Sequence, residues 1–189
     1  MIFFCIRGWW LVLLLSACAG NHGAGKPTAW VKPGTAMVLP APGIAQKIEQ
    51  QQLLTIEAGG QQHTLLVLLQ ADEKQVSLAG LSPLGIRLFA LHYDAAGIRT
   101  EQSVAGPELP PANQVLADIM LSYWPVAAWQ NLLPPGWRLE EDVSSRRLID
   151  PDGKVVTRIT YLQKNGQRQP ARIWQNVFHY QISINTLDR

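Results

Sequence analysis

Cysteine, charge and long apolar runs are all scarce in this chain, and each scarcity excludes something. Only two cysteines occur in 189 residues, Cys5 and Cys18, both near the amino terminus. No internal disulfide can therefore staple the rest of the chain, and its stability has to come from packing. Charged residues make up 16% of the sequence, with 16 basic and 14 acidic side chains interspersed, where a globular domain usually carries about a quarter. Without a basic run there is no source for the phosphate neutralisation that nucleic acids require, so nucleic acid is not expected as a partner. No apolar run approaches the roughly 20 residues of a membrane-spanning helix. The four histidines, His22, His63, His92 and His179, are scattered without ligand spacing, so neither a metal nor a cofactor is expected.

What the amino terminus does have is Leu15-Ser16-Ala17-Cys18, following a short apolar stretch from Trp9 to Leu15 with Arg7 before it. Small residues before a thiol, with leucine at the third position back, make a bacterial lipobox. Residues 1–17 accordingly read as a lipoprotein signal peptide. Cys18 then carries diacylglycerol, whose chains contribute about 0.8 kcal/mol per buried methylene. Ala19 follows Cys18 in place of the aspartate that retains a lipoprotein at the inner membrane. The expected location is the periplasmic face of the outer membrane. Residues 18–44 are rich in proline, glycine and alanine and read as a tether. Trp30, Val31 and Met37 to Leu39 are too apolar for a purely solvated linker, so part of this stretch is expected to pack on the domain.

Residues 45–189 form one domain in this reading, and its pattern is that of strands. Gly59-Gly60 and Asn165-Gly166 are hairpin signals. Ser82-Pro83-Leu84-Gly85 and Pro151-Asp152-Gly153 are turns. Phe178, Tyr180, Ile182 and Ile184 alternate with polar residues as a half-buried strand. Between Pro110-Pro111 and Pro134-Pro135, the residues Val115, Leu116, Ile119, Met120, Tyr123 and Trp124 recur at helical spacing, with Pro125 ending or kinking the helix. The expected fold is mostly β, of the α+β type: a curled antiparallel sheet or half-open β-barrel of about 9 to 11 strands with a short helical lid.

This order of lipobox, tether, long hairpins, Pro-Leu-Gly turn, helix pair and closing strands resembles the LolA/LolB superfamily of lipoprotein carriers. Val76 to Leu88, with its Ser82-Pro83-Leu84-Gly85 turn, is similar to the LolB segment that projects a leucine, with Ser82 standing where LolB has asparagine. Arg158-Ile159-Thr160-Tyr161 before Asn165-Gly166 also resembles a LolB strand. A further likeness is to a family of lipoproteins associated with aryl polyene gene clusters. The resemblance implies an outer-membrane lipoprotein, a LolA-like periplasmic carrier as partner, and a membrane-contact role for Leu84.

Catalytic constellations are weak. Gly80-Leu81-Ser82-Pro83-Leu84-Gly85 is similar to a hydrolase elbow, but its second glycine is one place too far and it joins two strands. Glu140, Glu141 and Asp142, opposed by Arg146 and Arg147, read as a solvated, partly ion-paired edge. The surplus is apolar: 47% of residues are hydrophobic. A concave face lined by Leu66, Leu68, Leu78, Phe89 and Leu91, together with Ile159, Tyr161, Phe178, Tyr180 and Ile182, would make an acyl-chain site under a lid of Ile119, Tyr123 and Trp124. The expected function is binding of a hydrophobic or acylated ligand, such as lipoprotein acyl chains or an aryl polyene lipid, and its delivery to the membrane by a monomer without catalysis. The alternatives are a structural or accessory envelope lipoprotein with a filled core, and an esterase-type hydrolase using Ser82.

Overall fold

The computed structural model describes residues 26–102, 110–164 and 166–187. The signal, the lipobox with Cys18, Val104 and Asn165 lie outside the described residues.

Strands β1 (Thr28–Lys32) and β2 (Thr35–Val38) form a hairpin of their own. A meander of β3 (Ile48–Ala58), β4 (Gln61–Ala71), β5 (Val76–Leu81), β6 (Arg87–Asp94) and β7 (Gly97–Gln102) follows. Helix α1 (Ala112–Tyr123) and a 3-10 turn (Val126–Trp129) interrupt it. A second meander returns through β8 (Arg138–Glu141), β9 (Ser145–Ile149), β10 (Val155–Lys164), β11 (Gln167–Gln175) and β12 (Tyr180–Leu187). The last strand closes on the first meander, giving a single antiparallel sheet of ten strands in the order β7-β6-β5-β4-β3-β12-β11-β10-β9-β8. The sheet is curled but not closed, as expected for so many twisted strands. The helix packs into its concavity.

The turns form where the sequence places them. Gly59 and Gly60 both take positive φ, 56° and 76°, the backbone that a tight hairpin needs and only glycine adopts freely. The last strand starts two residues later than its alternation suggests. His179 has φ 55°, which ends a turn over residues 176–179 and leaves Phe178 outside β12.

The stretch expected to be a tether is folded over much of its length. Ala29, Val31, Met37 and Leu39 are buried, so most of the apolar residues that distinguish it from a solvated linker do pack, whereas Trp30 points outward at 55% exposure. Backbone bonds run from Val38 N–H to Leu132 O (3.3 Å) and from Ile44 N–H to Asp72 O (2.9 Å). At Gly43 a β-carbon would stand 2.2 Å from Glu73 O, so only glycine permits this approach. The folded region therefore begins upstream of residue 45.

Helix α1 ends as its sequence dictates and is secured by a residue that was read differently. Pro125 has no N–H, so the Leu121 carbonyl loses its partner four residues on. Arg146 supplies the substitute: its Nη1 donates to Leu121 O (2.5 Å) and Trp124 O (2.7 Å). The Tyr161 hydroxyl donates to Ser122 O (3.0 Å). Arg146 is 4% exposed and pairs with Glu141, so the expected ion pairing is present, but the expected solvated edge is corrected at Arg146, which is buried. The outer pair Arg147–Glu140 does lie at the surface, and Asp142 caps its own turn through Ser144 and Ser145. Arg146→Met should lower the unfolding free energy by about 2 to 4 kcal/mol, because two buried carbonyls lose their donor while Glu141 regains water. A fall in the urea midpoint at constant slope would read this. A loss under about 0.5 kcal/mol would show that apolar packing alone holds the helix.

Candidate functional site

Cross-strand partners share a face, so the ladders fix what looks inward. Leu54 and Ile56 of β3 stand beside Ile184 and Ile182 of β12. Leu78 of β5 pairs with Leu91 of β6, and Gly80 with Phe89. Between this inner face and the first turns of α1 lies a cavity of about 220 Å³. Leu54, Ile56, Leu65, Val67, Leu78, Phe89, Leu91, Ile182 and Ile184 form its apolar wall, with Val115 and Ile119 of α1 above. The exposed Thr100 and Glu101 mark where it meets solvent. Its volume falls below the roughly 300 to 1,000 Å³ of sites for drug-sized ligands, and suits one chain end rather than a bulky molecule.

The polar part of the wall is small and ordered. Asp118, 4% exposed, receives hydrogen bonds from Gln175 Nε2 (2.5 Å) and the Tyr180 hydroxyl. Thr157 Oγ1 donates to Gln175 Oε1 (2.9 Å), which turns the amide nitrogen toward the carboxylate. Burial pushes the Asp118 carboxyl up to about 6, against the opposing pull of its Tyr180, Gln175 and Gln114 donors. Burial, and then the Asp118 charge, raises the Tyr180 hydroxyl well above its ordinary value. Tyr123 donates to Gln50 Oε1 and accepts from Gln52 Nε2, both at 2.7 Å. Its hydroxyl is likewise raised by burial.

Seven of the residues expected to line a site meet here: Leu78, Phe89, Leu91, Ile119, Tyr123, Tyr180 and Ile182. Six do not. Leu66 and Leu68 stand on the opposite face of β4, because Leu65, Val67 and Leu69 are its buried residues. The unbroken run from Leu65 to Leu69 carries no alternation from which a face could be chosen. Trp124, Ile159 and Tyr161 do look inward, but Trp124 and Ile159 are 1% exposed and Tyr161 9%, packed solid beneath the end of α1. Phe178 sits in the turn before β12. The concave face is thus filled on its β9–β10 side and hollow over β3–β6 and β12, with Ile173 of β11 at the boundary.

Asp118 was not anticipated. It is the only charged residue of α1, and a helix with one charge in three turns has no broad solvated face. That was the available signal.

Ser82 lies in its turn, where its hydroxyl accepts the Ile86 N–H (3.2 Å) and Gly85 N–H donates to its carbonyl (2.9 Å). Leu84 projects from the tip, 87% exposed, with Ile86 at 61%. On the outer face a different serine meets a histidine: Ser77 Oγ is 2.9 Å from His92 Nδ1, and His92 Nε2 is 3.1 Å from Asp94. These are cross-strand and same-strand neighbours of β5 and β6. The surrounding backbone N–H groups are engaged in a ladder rather than aimed at an oxyanion. The Asp94 carboxyl is held down to about 2, chiefly by Arg99.

No curated protein matches this chain. Among solved structures, it is similar to a DUF1329 family protein from Desulfovibrio piger at 10% identity, over 76% of this chain and 85% of that one, with a TM-score of 0.38. Residues 49–188, the whole of the ten-stranded sheet except Ile48, match the family described as a protein of unknown function, DUF3261, and the chain belongs to that family.

Proposed function

We propose that this protein is an outer-membrane lipoprotein that takes the end of a hydrophobic or acylated ligand into its cavity and passes it to the membrane holding its own lipid anchor. The observation that carries this is an apolar cavity, roofed by a helix in a half-open sheet, with no lysine, arginine or histidine on its wall among the described residues. The likeness to LolB and to aryl polyene-associated lipoproteins suggests lipoprotein acyl chains or an aryl polyene lipid as ligand, and a LolA-like carrier as its source. No bond is made or broken. Diacylated Cys18 supplies the anchor at the periplasmic face.

Leu84 is the proposed membrane contact. It contributes about 1.5 to 3 kcal/mol on burial, enough to favour a defined point of touch once a tether holds the domain near. Leu81, Leu66 and Leu53, neighbours in register on the outer face, continue an apolar strip away from that tip. A structural role with a filled core is the second reading, favoured by the solid packing of Trp124 and Ile159 under α1.

Three outcomes are expected. Gly80 leaves room for the Phe89 ring, whose edge would lie 2.1 Å from any β-carbon there. Gly80→Ala should push that ring into the cavity and weaken binding of the apolar probe N-phenyl-1-naphthylamine about tenfold, with Phe89→Ala in the same protein restoring it. Equal binding by the single variant would place the probe elsewhere, and absence of copurified lipid by mass spectrometry would favour the structural reading. Leu84→Glu should leave the melting temperature and probe binding intact while slowing transfer of the probe to liposomes; lowered stability with unchanged transfer would refute a delivery role. Cys18→Ala should abolish palmitate incorporation, and labelling that survives it would remove the anchor.

A further inference from the structure

We infer that Asp118 selects the ligand's head group: the cavity accepts an apolar chain whose end donates a hydrogen bond, a hydroxyl, amide or amine, and rejects a chain end with fixed negative charge. This rests on reading the cavity as the ligand site and adds the chemistry of what enters it.

The argument starts from how the carboxylate is satisfied. An ionised carboxylate only accepts, at about four lone-pair positions. Gln175, Tyr180 and Gln114 provide three donors. All three are neutral, so they occupy lone pairs without cancelling the charge, and one accepting position is left on a group that lines the cavity. Buried carboxylates ordinarily sit beside a cation, and among the described residues no cationic side chain lines this space. The other acid on the wall, Glu101, lies at the exposed rim paired with Arg87 (3.3 Å). A second anion beside Asp118 would be repelled far more strongly than in water, because little solvent screens the two. A donor entering the same place completes the acceptor set.

The groups facing Asp118 are few enough for its titration to be read cleanly. Gln114 and Ser122 lie on its own helix, Gln175 on β11 and Tyr180 on β12. Of these only Tyr180 titrates, and its hydroxyl is raised further from neutrality. With its carboxyl pushed up to about 6, Asp118 is ionised at pH 8 and neutral at pH 5. Rejection of an anion should therefore be strong at pH 8 and relax at pH 5.

The test displaces N-phenyl-1-naphthylamine from the whole protein with 1-octanol, octylamine and octyl sulfate, the last keeping its charge at both pH values. At pH 8 octanol and octylamine should displace the probe at concentrations at least about tenfold below octyl sulfate, the like-charge penalty being carried by one group. At pH 5 octyl sulfate should improve about fivefold or more while octanol stays the same, as neutralising one acid removes one repulsion. Asp118→Asn should abolish both the gap and its pH dependence. The pH comparison needs no variant, so it decides even if the substitution unfolds the domain. Octyl sulfate matching octanol at pH 8, or a gap that persists at pH 5, overturns head-group selection and leaves the cavity standing. Failure of the probe to bind at all removes the cavity reading, and this inference with it.

Discussion

Everything on the concave side of the sheet depends on how the end of α1 is held. A helix that stops at a proline leaves carbonyls facing inward, and a buried carbonyl without a donor costs about as much as a whole hydrogen bond contributes. Arg146 meets that demand from β9 by donating to the Leu121 and Trp124 carbonyls, while Glu141 on β8 balances its charge. A guanidinium suits this position because its planar fork serves a carboxylate and two carbonyls at once, which an ammonium cannot do in fixed geometry. The arrangement costs desolvation of a charge, and what it secures is position: one end of the helix is fixed against β8–β10.

That fixation explains why the half-barrel is hollow on one side only. Trp124, pinned further by its Nε1–H to Ala41 O (3.2 Å), fills the concavity beside Ile159 and Leu148. The opposite end of α1 begins at Pro111, without a side-chain cap, and rests over β3–β6 through the smaller Val115 and Ile119. Polar ties at that end run through Asp118 to Gln175 and Tyr180, and those groups also face the cavity. The helix thus has an arginine clamp at one terminus and, nearer the cavity, a carboxylate held only by neutral donors.

The sheet and its turns were legible in the sequence because local chemistry decides them. Gly59-Gly60 and the Pro-Leu-Gly turn force reversals wherever they occur, and Pro125 ends a helix in any context. The face of β4 was not legible, since Leu65 to Leu69 is apolar at every position and only pairing with β3 and β5 decides which members look inward. Trp124, Ile159 and Tyr161 were given the right face and the wrong surroundings, because alternation reports inward or outward and says nothing about hollow or solid. Arg146 hid behind its neighbour: Arg146 and Arg147 are alike in composition, yet one is buried against carbonyls created by a proline twenty-one residues earlier in the chain. Long-range demands of this kind leave no local periodic trace.

In the delivery we propose, a single hairpin would serve both ends. Leu78 and Phe89 line the cavity from β5 and β6, and Leu84 and Ile86 stand at the turn joining those strands. Leu84 lies six positions after Leu78, a reach of at most about 20 Å along an extended strand. A bilayer touched by the tip is therefore within one hairpin's length of a chain end held against Phe89. Because the turn is fixed by Pro83 and by Gly85 at φ 79°, Leu84 is held at its outer tip, at the far end of the hairpin from the residues that line the cavity.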